Sequence, residues 1–474
     1  MTALDESLER AEDTAEAGRS FKNRDWEILD PDSNDIAALE AAGADPLTAP
    51  ILAGRGITPE DLSDFLDPKI RRLMPNPATF RDMDRGAALA AAMIERKARI
   101  AIWSDYDVDG ATSAAVMGRF MADCGLDDVP VHIPDRITEG YGPNEEGLLA
   151  LKSEGIELVI ILDAGTVAFD PISAAKNAGL KVIVIDHHAA ETALPDADAV
   201  INPNRQDESG SYGHLCAAGM TFIFCVATNL VLRKSGFFSG QYGRPATPPD
   251  LMQYLDLVAL GTICDVVPLT GLNRSFVKRG LEIMSRRQNP GLDALARVSG
   301  IEGWIDERSC GFALGPRINA GGRIGDAGLG ARLLLSKDPD RIEEIAETLN
   351  SLNEERKKLE RSVTEQALTQ CEDRFAQGLS RELAIAVVEG HEGVIGISAS
   401  RLKDNLDMPA FVLTHAEDGC LKGSGRSVPG FDLGASIMKA KREGILVKGG
   451  GHAMAGGITI EETRLAEFKD IVDK

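Results

Sequence analysis

Short apolar runs, each closed by acids or turn residues, recur through the first half of the chain: ARIAIWSD, VPVHIPD, ELVIILDAG, KVIVIDHH and DAVINP. Runs of this length, rich in Ile and Val and bounded by Gly, Pro, Asp or Asn, predict strands. Between them lie small-residue segments with helical spacing, such as ATSAAVMGRFMADCG and FDPISAAKNAG. Strands alternating with helices predict an α/β fold with a parallel sheet, whose ligands bind beyond the carboxyl ends of the strands.

After Gly325 the pattern changes. From Pro339 onward, Ile342, Ile345, Leu349, Leu352, Leu359 and Val363 recur at spacings of three, four and seven. They predict a helix of about ten turns that connects two domains over residues 336–378, with its charge run as a solvated face. Beyond it ELAIAVVEG, PAFVLT and LKGSGRS read as strands, LGASIMKAKREG as a helix and GGGHAMAGGITI as a glycine-rich segment. A smaller α/β domain is therefore expected over 379–474. Residues 1–50, acidic and poor in aromatics, predict a partly ordered arm, which leaves 51–335 for the larger domain.

The 474 residues leave room for two or three cores. No apolar run reaches the length of a membrane span, and the start, MTALDESLERAEDTAEAG, is not a secretory leader, so a cytoplasmic protein without membrane contact is expected. Seven scattered cysteines without a CxxC pair support neither a disulfide framework nor a zinc knuckle. A net charge of −23 argues against broad coating of a polyanion. It leaves open a narrow basic channel, above all one where divalent cations sit among carboxylates.

The densest chemistry lies in SDYDVDGATSA, Ser104–Ala114. Asp105, Asp107 and Asp109 repel one another unless a cation sits among them, and their alternation predicts that they project from a strand end before a glycine turn. Carboxylates with a later imidazole suit Mn²⁺ or Mg²⁺. A calcium loop is the alternative, but the spacing lacks its closing glutamate. Asp163 ends ELVIILD before Ala164 and Gly165, where it can reach a metal, although an Asp before Gly is more often a turn residue. In Asp186-His187-His188, at the end of KVIVID, His187 is assigned to metal and His188 to a substrate phosphate or water. His188, Asp105 and Asp186 are the candidate catalytic groups. Asp265, in apolar LVALGTICDVVPL, needs a partner or a cation, or else caps a helix N-terminus. Phosphates call for Arg forks and backbone amides, and the candidates are Arg136, Arg317, Arg323, Ser424, Arg426 and His452.

Four segments in order, SDYDVDGATSA, ILDAGT, VIDHHAAE and GTICDVVPL, resemble motifs I to IV of the DHH phosphoesterases. GTICDVVPLTGLNR and GPRINAGGRIGDA resemble the RecJ single-strand exonuclease branch, and GSGRSVPGFDLG and GGHAMAGG its DHH-associated domain. The resemblance runs from Ile51 to the C-terminus. It implies a parallel-sheet DHH domain joined by the long helix to a DHH-associated domain, with the active site in the cleft between them. It implies a 5′-to-3′ exonuclease that degrades single-stranded DNA to mononucleotides, in DNA repair and recombination. Two Mn²⁺ or Mg²⁺ ions would be held by Asp107, Asp109, Asp163, His187 and Asp265, with Asp163 bridging and Asp105 adding to them. Arg136, Ser424 and Arg426 would form a 5′-phosphate pocket. A monomer acting beside a single-strand-binding protein or a helicase is the expected setting. Trp103 stands where many DHH enzymes carry a histidine, a departure the RecJ branch shares. Ala164 and Cys264 replace the more usual Cys or Asn and Ala. Two other readings are a phosphodiesterase for short oligonucleotides or cyclic dinucleotides, which DYDVDG and the long helix disfavour, and an inactive DNA-binding replication scaffold, which the intact ligand set disfavours. Only ITIEETRLAEFKDIVDK follows Gly457, so the OB-fold usual in RecJ-like proteins is expected to be absent.

Overall fold

A computed structural model describes residues 29–136, 138–241, 243–377, 382–416 and 419–472. The chain divides into two units. The smaller comprises the described residues up to Met74 with Thr270–Ser275. In it, helices Ser33–Ala41, Ala49–Gly54 and Leu62–Leu66 gather Leu39, Ala44, Ala49, Leu52 and Leu62 into a buried cluster. The expected arm over 1–50 is corrected here, since residues 33–50 are built into this helical unit. Asp32 caps the first helix through the amide of Asn34 at 2.8 Å, and Leu39 is fully buried. Residues 1–28 of that expectation lie outside the described residues.

The larger unit opens with a parallel sheet of β1 (Ile100–Ser104), β2 (Val131–His132), β3 (Leu158–Leu162), β4 (Lys181–Ile185) and β5 (Ala199–Ile201), in the order β2-β1-β3-β4-β5. β1 and β3 are buried at every position, because elements cover both faces. That is why they read as unbroken apolar runs rather than as alternation. The register sets Ser104 beside Leu162 and Leu162 beside Ile185. Three strands therefore end level, and Asp105, Asp163 and Asp186 leave the sheet along one edge.

Behind this edge pack α1 (Val108–Asp123), α2 (Ala217–Lys234) and α3 (Leu255–Cys264), followed by α4 (Gly315–Ile324). Among the described residues α2 alone is long and apolar enough to cross a membrane, but 72% of its apolar window is buried inside the protein, as in a core helix. The long helix α5 (Pro339–Ala376) is capped by Asp338, whose carboxylate accepts from Asp340 N at 3.0 Å. It packs on α4 and on α6 (Glu392–Leu406) of the second domain.

The second sheet comprises β6 (Ala384–Val388), β7 (Ala410–His415), β8 (Cys420–Arg426), β9 (Lys448–His452) and β10 (Ala455–Glu461), in the order β6-β7-β8-β10-β9. β6 and β7 are parallel and the remaining pairs antiparallel. The glycine-rich segment is thus the hairpin β9-β10. On one face Phe411, Leu421, Leu433, Ile437 and Phe468 form a core; on the other Ala384, Ala386 and Val412 meet Val363 of α5 and Leu402 of α6. Phe411 is fully buried with its ring 5.2 Å from that of Phe468, edge to face. Phe411→Ala is expected to destabilise this domain by about 3–5 kcal/mol, read as a lowered urea midpoint. A loss below about 1 kcal/mol would mean that this face is not the core described.

Candidate metal centre

Strand β1 stops at Ser104, so the three aspartates of SDYDVDG do not alternate along a strand, as the sequence led us to expect. Asp107 caps α1, its carboxylate accepting from Gly110 N at 3.1 Å, and Asp109 lies in the first helical turn. A Cβ at Gly110 would come within 2.3 Å of the Asp105 carbonyl oxygen, so only glycine allows this tight return. Asp109 is buried with its carboxylate oxygens accepting from Ala217 N at 2.6 Å and Ala218 N at 2.9 Å. Those amides belong to the N-terminus of α2, where the helix dipole favours negative charge. Asp163 holds a left-handed backbone, φ +58°, and Asp265 follows the last turn of α3 as its C-cap, not as the N-cap considered above. Val266 after it has φ +59°, which a β-branched residue rarely adopts. Strain of this kind collects at functional sites.

These turns converge on one point. His187 Nε2 lies 3.3 Å from Asp163 Oδ1 and 3.8 Å from Asp109 Oδ2, and its Nδ1 lies 3.7 Å from Asp265 Oδ2. Potential ligand atoms within 4.8 Å of one another form three overlapping groups: Asp105, Asp107 and Asp163; Asp109, His187 and Asp265; and Asp163, His187 and His188. Asp163 joins the first group to the third. Among the described residues, one oxygen each of Asp105, Asp163 and Asp265, together with His187 Nε2, is buried without a hydrogen-bond partner. Unpaired buried polar atoms are costly, and four of them aimed at one space fit a divalent-cation centre of oxygen and imidazole donors.

The titration of the cluster carries the same message. Burial, then the neighbouring Asp107, pushes Asp105 up to about 8. Burial, then Asp109 and Asp107, pushes Asp265 up to about 8. Asp109 and Asp163 are raised too, burial leading in both. Cations among them would reverse these shifts.

Asp186 has another task. Its Oδ1 accepts from His187 N at 2.7 Å, His188 N at 3.1 Å and His188 Nδ1 at 2.8 Å, and its Oδ2 from Thr166 N at 3.0 Å. Burial alone would raise this carboxyl, but the bonds and charge of His188 and the bonds of Thr166 outweigh it and hold it below the usual range. Burial likewise works against protonated His188, yet the Asp186 partner lifts that imidazole to about 9. The two histidine rings lie 4.6 Å apart, and His188 as well as His187 offers a nitrogen near Asp163.

Sequence reasoning passed over the residues that hold this loop. Tyr141 donates from its hydroxyl to the Asp163 carbonyl at 3.2 Å and lies 3.2 Å from His188 Nδ1. Asn202 Nδ2 donates to Thr166 Oγ1 at 2.8 Å and to the His188 carbonyl at 2.9 Å, and Asn204 Nδ2 donates to the His187 carbonyl. The only signal was INPN after an apolar run.

Beside the acids stands a cationic cluster. Arg136 lies over Tyr106, 5.4 Å from the ring centre. Arg323 Nη1 donates to the Gly393 carbonyl at 3.2 Å, and Arg426 Nη1 to Ser424 Oγ at 3.0 Å. Burial, then Arg136 and Arg356, pushes Arg323 down to about 10; burial, then Arg136, lowers Arg426. Among the described residues none of the three guanidiniums has a carboxylate partner, so the cluster is set for an external anion. A cavity of about 570 Å³ opens there, lined by Arg136, Gly393, Gly396, Ser424 and Gly450. Arg426 faces it across Gly396, where an added Cβ would stand 3.1 Å from Nη2. Two candidates are elsewhere. Arg317 is buried and donates from Nε to Asn350 Oδ1 at 3.0 Å and from Nη1 to the Ala313 carbonyl at 2.8 Å, tying α4 to α5. His452 is exposed at the end of β9, its Nδ1 accepting from Met454 N at 3.3 Å, outside the cavity lining.

Unfolded aspartates titrate near 3.8, so folded values of about 8 mean that the stability due to Asp105 and Asp265 is present below about pH 4 and drains as pH rises toward about 8. Mn²⁺ added to metal-free protein should therefore raise the melting temperature more at about pH 8 than at about pH 5, with protons released on binding. An equal rise at both would contradict the cluster's raised proton affinity.

The family model of the DHH family, N-terminal domain, matches residues 99–262, and that of the DHHA1 domain residues 381–474. The single-stranded-DNA-specific exonuclease RecJ of Salmonella typhimurium is 35% identical over 441 residues, which cover 92% of this chain and 75% of that protein. RecJ of Bacillus subtilis is 36% identical over 449 residues, 94% of this chain and 54% of its own length. The crystal structure of RecJ in complex with Mn²⁺ from Thermus thermophilus superposes with a TM-score of 0.76 at 29% identity, covering 94% of this chain and 61% of that one. A second structure, exonuclease RecJ bound to manganese, gives 0.69 at 30% identity over 84% and 94%. The chain thus spans about three fifths of the Thermus protein. With both domain models in order and such identity along nearly its whole length, it belongs to the RecJ family of DHH phosphoesterases.

Proposed function

We propose that the chain is a metal-dependent exonuclease that removes mononucleotides from the 5′ end of single-stranded DNA. The observation that carries this reading is the adjacency of two unsatisfied sites: acids with unpartnered buried atoms, and arginines without carboxylates. A terminal phosphate in the arginine cavity would set the next phosphodiester over the acids. Asp107, Asp109, His187 and Asp265 would hold two Mn²⁺ or Mg²⁺ ions with Asp163 shared and Asp105 in support. Bound there, the ions supply positive charge to phosphodiester oxygens and acidify a water for in-line attack. His188, held by Asp186 through its Nδ1 and half exposed, would donate to a phosphate or leaving oxygen. Arg136, Ser424 and Arg426 would grip the terminal phosphate, with Arg323 bracing the two domains. Support comes from relatives named as single-stranded-DNA-specific exonucleases and solved with Mn²⁺ or Mg²⁺. A cyclic dinucleotide has no terminal phosphate for the arginines, which disfavours that substrate. Cytoplasmic work in DNA repair and recombination, as a monomer beside a single-strand-binding protein or a helicase, belongs to the same reading.

Asp163→Asn should reduce nucleotide release from a 5′-phosphorylated single strand by about a hundred- to a thousandfold while the circular dichroism of the fold is kept. Turnover near that of the wild type would remove the shared ligand from the reading. A 5′-phosphorylated strand should be cut faster than a 5′-hydroxyl strand, and Arg426→Ala should erase that preference. Equal initial rates on both strands with the unaltered protein would remove the terminal-phosphate pocket.

A further inference from the structure

Helix α6 separates two cavities. Ile395 and Gly396 line the phosphate cavity, whereas Ile397 and Arg401 face a second one of about 530 Å³. Arg356, Arg361 and Thr364 of α5 and Phe312, from the turn before α4, form its other walls. None of these residues has a part in the proposed hydrolysis.

Phe312 is 81% exposed and sits in a π-helical turn, Cys310–Leu314. Such turns interrupt the α-helical bonding and often mark functional sites. A single exposed phenylalanine means little by itself; its company gives it weight. Arg356 is 9% exposed, paired through Nη1 with Glu360 at 2.8 Å and donating from Nη2 to Asn353 at 3.0 Å, yet its Nε is buried without a partner among the described residues. Thr364 Oγ1 is likewise unpartnered. Glu360 also receives Arg401 at 3.2 Å, so one carboxylate serves two guanidiniums. Arg361 has no ion-pair partner among the described residues. Glu365 on the rim offsets one of these charges, and an excess of positive charge remains, in a chain whose net charge is −23. The charge of Arg356 helps lower Arg323, so the second basic region lies within electrostatic reach of the first.

We infer that this groove is a second nucleic-acid site, outside the catalytic cleft, that stacks a base of single-stranded nucleic acid on Phe312 and holds its phosphates on Arg361 and Arg401. Exposed aromatic rings beside guanidiniums are the chemistry by which single strands are held without regard to sequence. The inference rests on the reading that the substrate is a single strand.

The test measures binding of 3′-labelled strands to the metal-free protein by fluorescence anisotropy, with Phe312→Ala and Arg361→Ala, both at exposed positions. Each should weaken a strand of about 25 nucleotides by about five- to tenfold, while a strand of about four nucleotides binds as before and is hydrolysed with Mn²⁺ at the original rate. Unchanged affinity for the long strand, or equal loss for both lengths, would overturn the inference. Binding of a polyglutamate peptide that Arg361→Ala abolishes, with long-strand affinity unaltered, would overturn it in favour of an acidic protein partner. If the unaltered protein cuts no single strand of either length, the proposed function itself fails, a result distinct from those.

Discussion

The burial of several carboxylates side by side, where each is desolvated and repelled by the others, is the constraint on which the metal centre and its surroundings depend. Asp105, Asp109, Asp163 and Asp265 are all held with raised proton affinity, and burial leads in every case. A chain free to relax would separate them. The parallel sheet prevents it, because level strand ends and fully buried β1 and β3 leave the acid-bearing turns nowhere else to go. Apolar burial in the sheet thus keeps in place a cluster that is unfavourable until cations enter it.

Local devices complete what the sheet begins. Gly110 lets the first turn fold back on itself, the N-terminus of α2 meets the charge of Asp109, and Asp186 ties Thr166 to both histidines. Asn202 and Asn204 then hold the carbonyls of His188 and His187 from the turn after β5. The long helix α5 plays a comparable part on a larger scale. Through Arg317 it fixes α4, and through Glu360 it meets Arg401 of α6, so the arginine cavity keeps its place beside the acids.

Most of the fold was legible because its signals are local. Five apolar runs ending in Asp, Pro or Gly became five parallel strands, and the spacing from Ile342 to Val363 became α5. Most of the acids were legible for the same reason, since Asp105, Asp163 and Asp186 follow such runs and Asp107 begins a helix; Asp265, at the end of α3, showed itself only as a charge in an apolar stretch. Other features depend on which segments meet, and one sequence does not display that. Arg317 and Arg323, six residues apart on α4, face different neighbours, one buried against α5 and the other reaching Gly393. Tyr141, Asn202 and Asn204 act through backbone atoms of distant turns. The helices over 33–50 bury few side chains in an acidic segment, too weak a pattern to stand out.

The central claim is that Asp163 is shared between two cation sites formed by these turns. Crystals of the protein grown with Mn²⁺, measured at the manganese absorption edge, test it directly. Two anomalous peaks are expected, both in coordination range of Asp163, one also near Asp107 and the other near His187. A single peak, or two of which only one touches Asp163, would contradict the account.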